Sequence, residues 1–140
     1  MRESFMVTIG AFGALIVSAL GGWGQALGAL SFFMAVDYVT GLIVAGIFKT
    51  SQKSENGALD SRIGFKGIVK KFMMLVMVAV AYQVDMIIGK EFVRYGVMIA
   101  FIANELLSIT ENAGLMGVYI PDTLKRAVDI LKKKGDCENE

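Results

Sequence analysis

Hydrophobic and polar positions in this chain fall into blocks, and the first block sets the terms for the rest. From Phe5 to Phe48 the sequence runs for forty-four residues with a single charge, Asp37. About 20 apolar residues span the hydrocarbon of a bilayer at roughly 1.5 Å of rise each, so this run predicts two membrane helices rather than one. The break falls at Gly21-Gly22-Trp23-Gly24, where glycines loosen the backbone and a tryptophan suits the headgroup boundary. A polar, glycine-punctuated stretch begins at Lys49, and two more apolar blocks follow it, separated by the short turn Gly89-Lys90-Glu91. The pattern predicts spans over 5–22, 26–48, 72–89 and 92–109, with a connecting loop over 49–71. Pro121-Asp122 then opens a helix over 121–134, with proline in the first turn and an aspartate at the positive end of the dipole. Leu124, Val128 and Leu131 share one face of it and lysines surround them, as in a helix lying on a leaflet surface. Residues 135–140 read as a short acidic tail. The expected fold is an all-α integral membrane protein: one membrane domain of four transmembrane helices plus a C-terminal amphipathic surface helix. Three spans remain if the first segment is re-entrant or interfacial, which would put the N-terminus outside. A cleaved signal peptide in the first run would leave a mature chain starting inside a hairpin.

Within the spans the polar and small residues have a helical spacing. Gly10, Ala14, Ser18 and Gly22 recur every four residues and line one face of the first helix. In lipid, where apolar burial gives helices no net reason to associate, such a stripe favours close packing, on this chain or on another copy. In the second helix Asp37, Thr40, Gly41, Val44 and Ala45 share a face that is polar at mid-depth and small beyond it. A charged aspartate at the centre of an inserted helix costs about 2.5–3.5 kcal/mol on insertion scales. No lysine or arginine is expected at its depth, so Asp37 is protonated, hydrogen-bonded to another helix or facing water. Gln83 and Asp85 lie toward the far end of the third span, where Arg94 is close enough in sequence to reach Asp85. The fourth span carries Phe101, Asn104, Glu105, Ser108, Glu111 and Asn112 at three- and four-residue intervals. That carboxylate-rich stripe is a pore surface, the hydrogen-bonded seam of a bundle, or the mark of a helix leaving the membrane early.

Composition narrows the chemistry. A hydrophobic share of 55% and a mean hydropathy of +0.59 exceed the roughly 45–50% apolar share of soluble domains. There is no histidine and one cysteine, Cys137, which removes the partners for a zinc site, an internal disulfide or Ser-His and Cys-His catalysis. No enzyme activity, metal or cofactor is expected, and methionines in the third span read as adaptable packing. A net charge of +1 gives no reason to expect nucleic acid. The basic residues report orientation instead. With four spans and both termini in the cytoplasm, Arg2, the six from Lys49 to Lys71 (Lys70 and Lys71 included), and Lys125, Arg126, Lys132, Lys133 and Lys134 lie inside, leaving Lys90 and Arg94 outside. Lys70, Lys71 and the five C-terminal residues are expected at the membrane surface; anionic headgroups are an alternative reading of the loop run, which orientation alone accounts for.

Four fragments in order carry a resemblance: Asp37-x-x-Thr40-Gly41; Ser61-Arg62-Ile63-Gly64-Phe65-Lys66-Gly67-Ile68 before Lys70-Lys71; Asn104-Glu105-x-x-Ser108-x-x-Glu111-Asn112-Ala113; and Gly117-x-x-Ile120-Pro121. With the hydropathy between them, the chain resembles the phage-lysis and toxin-secretion holins of Gram-positive phages and prophages. The resemblance implies a protein of the bacterial cytoplasmic membrane that forms homo-oligomers and opens lesions. A peptidoglycan hydrolase or secreted toxin would be its functional partner. Met1 and Met6 bracket Arg2, as in holins made from two start sites, although Glu3 offsets the charge. On this reading Gly10, Ala14, Ser18, Gly22, Gly41 and Ala45 pack helices, Asp37, Thr40, Asp85, Asn104, Glu105, Ser108 and Glu111 are pore-lining or inter-helix polar residues, and Asp37 and Glu105 tune assembly and line or border a wet path. Two rivals stand beside it. One is a small ion- or proton-conducting transporter or channel subunit, which needs carboxylates converging at one depth, whereas Asp85 is expected outward and Glu105 inward. The other is an accessory that binds a partner membrane protein and forms no pore.

Overall fold

A computed structural model describes residues 1–137 and contains five helices, with no strand among the described residues. In chain order they are α1 (Arg2–Ala19), α2 (Gln25–Ile43), α3 (Ser61–Ile88), α4 (Val93–Leu115) and α5 (Asp122–Cys137). Five residues of π-helix, Val44–Phe48, continue α2 without a break. α1, α2 with its π-helical end, α3 and α4 are each long and apolar enough to cross a membrane.

Local chemistry sets most of the boundaries. Gly21 and Gly22 both take φ of 88°, a left-handed conformation open to glycine, and so end α1 and turn the chain toward α2. A Cβ on Gly21 would stand 2.7 Å from the Tyr82 ring and 2.8 Å from Arg94 Nε, so that position also has no room for a side chain. Asp60 caps α3, its Oδ1 accepting from the Arg62 amide at 2.8 Å. α3 therefore begins eleven residues ahead of Phe72, where apolar residues become continuous, and the last part of the expected 49–71 loop is helical. α4 runs six residues past Ile109, carrying its polar stripe on regular helix. α5 extends over Gly135, Asp136 and Cys137, the first half of the expected tail; 138–140 lie outside the described residues.

α4 is the centre of the molecule and packs against α2, α3 and α5. The core draws Leu27, Leu30 and Met34 from α2, Met74 and Val78 from α3, and Met98, Ile99, Ile102 and Leu106 from α4, with Leu20 and Val128 at its margins. α1 stands apart and none of its residues is buried. α5 lies back along α4 with Val128 and Gly135 buried and its charged face outward.

Candidate functional site

Asp37 lies twelve residues into α2 from Gln25, and Glu105 lies twelve residues into α4 from Val93. At roughly 1.5 Å per residue both are about 18 Å from those helix ends, close to the middle of each element. Lys71, ten residues into α3, reaches both. Its Nζ donates to Asp37 Oδ2 at 2.7 Å and to Glu105 Oε2. The three side chains are 8%, 4% and 15% exposed for Asp37, Glu105 and Lys71, so the pairs are largely withdrawn from solvent. Asn112 Nδ2 completes the cluster, donating to Thr40 Oγ1 at 2.9 Å and to Asp37 Oδ1 at 3.3 Å. Two carboxylates thus share one ammonium, with an amide covering the remaining oxygen of Asp37.

Lys71 corrects the expectation that no cation stands at the depth of Asp37, and its own placement among membrane-surface residues. Hydropathy counts depth from where apolar residues become continuous, whereas the helix starts at the Asp60 cap, and the long lysine stem carries its charge inward. The signal available in the sequence is Asp60-Ser61-Arg62, a capping residue before a helical run that contains Ile63 and Ile68. The glycines of the same segment have a use. Cβ atoms on Gly64 and Gly67 would each meet Tyr38 at 3.6 Å, so the two glycines present bare backbone to that ring. Gly41 faces Asn112, whose Nδ2 would lie 3.8 Å from a Cβ there. Asp37, Tyr38, Thr40 and Gly41 therefore engage the Gly64–Lys71 stretch of α3 and the Glu105–Asn112 stretch of α4 in one place.

A cavity of about 340 Å³ adjoins the cluster, bordered by Lys53, Lys70, Lys71, Glu105, Ser108 and Glu111. Of the α4 stripe, Asn104 and Glu111 are exposed, Ser108 is half-buried, and Glu105 and Asn112 turn inward. The stripe is thus split between a hydrogen-bonded seam and an open polar edge.

Asp85 belongs to a second cluster at the other end of the bundle. Its Oδ1 accepts from the Val93 amide at 2.8 Å and its Oδ2 from the Arg94 amide at 2.9 Å, capping the start of α4. The Arg94 guanidinium does not pair with Asp85. Its Nε donates to Leu20 O at 2.5 Å and a terminal nitrogen donates to Gly22 O at 2.7 Å, placing a cation at the carbonyl end of α1. Glu105 and Asp37 converge; Asp85 does not join them.

Of the small residues, Ala45 is buried and Gly41 and Gly22 are half-buried, while Gly10 and Ala14 are exposed and Ser18 stands on the same unburied helix. Lys70 and the α5 residues Lys125, Arg126, Lys132, Lys133 and Lys134 are exposed, with Lys134 Nζ donating to the Tyr95 hydroxyl at 3.1 Å. No group of histidine, cysteine, aspartate and glutamate among the described residues is arranged to hold a metal ion.

Comparison with known proteins bears on this arrangement. The sequence pattern of the bacteriophage holin family matches residues 14–133, which include the whole mid-depth cluster. A protein of Listeria innocua is 37% identical over 130 residues, covering 92% of this chain and 87% of its own. A 14.9 kDa protein of Clostridium perfringens is 36% identical over 124 residues, 87% of this chain and 88% of its own. A probable holin of Bacillus phage phi105 is 33% identical over 106 residues, 75% of this chain and 73% of its own. No solved structure matches the chain.

Proposed function

The chain belongs to the bacteriophage holin family, and from that premise we propose that it accumulates in the bacterial cytoplasmic membrane, self-associates, and opens lesions. Those lesions release a cell-wall hydrolase or a toxin. Before lesions open it is a multi-pass protein with both termini in the cytoplasm, and no bond-making chemistry is assigned to it. The observation that carries the reading is the polar edge of α4. Asn104 and Glu111 are exposed on a helix long and apolar enough to span a membrane, beside a cavity that holds Lys71 and Glu105. Facing lipid, such an edge is unfavourable; facing other copies around water, it is satisfied. The unburied small-residue face of α1 supplies a packing surface for a neighbour. Asp37, Thr40 and Asn112 tie α2 to α4, so that the two move as a unit.

One observation favours a second reading. Asp37, Lys71 and Glu105 meet at mid-depth, the convergence an ion- or proton-conducting subunit needs. Asp85 lies in a separate cluster, leaving no continuous row of carboxylates toward the other end of α3. Purified protein in liposomes loaded with a small dye and a protein-sized dextran separates the two. The holin reading expects loss of both markers, rising steeply with protein density. Saturable, proton-coupled ion flux with full retention of both markers overturns it in favour of the conducting subunit.

A further inference from the structure

α5 runs back along α4 across most of its length. The chain turns at Gly117, and a Cβ on Gly135 would stand 3.2 Å from Ala100 Cα and 3.3 Å from Ala100 Cβ. Lys134 Nζ lies 5.1 Å from the centre of the Tyr95 ring, near the start of α4. Val128 and Gly135 are buried and Leu131 packs on the core, so the contact is a fitted helix pair. The opposite face of α5 carries Lys125, Arg126, Asp129, Lys132 and Lys133, all exposed. α4 is long and apolar enough to cross a membrane, so α5 on α4 holds this charged row at bilayer depth. Hydrocarbon does not accept such a row. A helix of this composition stays on α4 only where its outer face meets water.

We propose that α5 seats along α4 when the lesion is open, lines the water path with its basic face and carries its C-terminal end toward the outer side of the membrane. In the closed state it lies on the inner leaflet, its apolar face in the headgroup region. This rests on the holin reading and adds to it a lining element and a charge preference. On that outer face of α5 Lys125, Arg126, Lys132 and Lys133 stand against Asp129, so the α5 lining favours anions. Gly135 is the position that lets α5 close onto Ala100, where a Cβ would press on Ala100 Cα and Cβ and require a shift of a few tenths of an ångström.

A disulfide lock tests the seating. Ala100→Cys and Gly135→Cys, with the native thiol removed by Cys137→Ser, place two sulfurs within bridging reach, because a shift of a few tenths of an ångström brings the 3.3 Å Cβ separation into the roughly 3.5–4.5 Å range of disulfide-linked Cβ atoms. Oxidation in dye-loaded vesicles of anionic phospholipid is expected to give an intramolecular bridge, read as a gel shift, and the bridged protein is expected to leak dye at least as fast as the reduced form. Absence of the bridge in leaking vesicles, or a bridged protein that seals vesicles leaky when reduced, overturns the proposal and leaves the holin reading intact. A second variant needs no lock. Lys132→Glu with Lys133→Glu, in a planar bilayer under a potassium chloride gradient, is expected to shift the reversal potential from the chloride side toward the potassium side. An unchanged reversal potential overturns the proposal; unaltered protein that never conducts overturns the holin reading itself.

Discussion

Lys71 decides the fate of Asp37 and Glu105. Removing one partner of a buried pair costs about 3–5 kcal/mol, because it strands a charge away from water. Lys71→Met is therefore expected to destabilise the detergent-solubilised protein by that order, read by thermal unfolding. Adding Asp37→Asn and Glu105→Gln to Lys71→Met is expected to recover most of the loss; no recovery would show that Lys71 acts through packing alone. Asn112→Ala removes the hydrogen bonds to Thr40 and Asp37 and is expected to cost about 1–3 kcal/mol in the same assay. At this scale the sequence was legible in part. An aspartate in the middle of an apolar helix stands out in any reading, and so does the glutamate of the α4 stripe. Their common partner does not, because a lysine at the foot of a polar loop looks like a surface residue until the start of its helix is known.

At the scale of the helices, hydropathy located every apolar block, since about 20 residues without charge admit few alternatives in a bilayer. It misplaced the starts and ends that caps decide. Asp60 starts α3 inside what composition marks as loop, and Asp60→Ala is expected to cost about 1 kcal/mol, with faster amide exchange over 61–64 as the local sign. Arg94 illustrates a different blind spot. Its nearness in sequence to Asp85 suggests an ion pair, but the backbone amides of α4 take the carboxylate and free the guanidinium for the carbonyls of Leu20 and Gly22. Arg94→Gln is expected to widen the distribution of distances between spin labels on α1 and α4, while leaving α2–α4 distances unchanged.

For the molecule as a whole, fold class and family could be read from the order of motifs and hydropathy, whereas the position of α5 could not. A basic amphipathic helix fits a leaflet surface as well as it fits a neighbour, and only the contact of Gly135 with Ala100 shows where it lies here. On the proposed reading, further copies of the chain pack on the unburied face of α1 and the polar edge of α4. Gly10→Leu with Ala14→Leu is expected to lower cross-linked oligomer yield in membranes several-fold without changing insertion. The central claim is that the assembled protein breaches the membrane, and the most direct measurement is membrane potential in bacteria induced to express it. A potential-sensitive dye should report abrupt depolarisation once the inserted protein has accumulated, followed by access of a co-expressed cell-wall hydrolase to the wall. Protein that inserts to the same level and leaves the potential intact, with the hydrolase retained, would contradict the account.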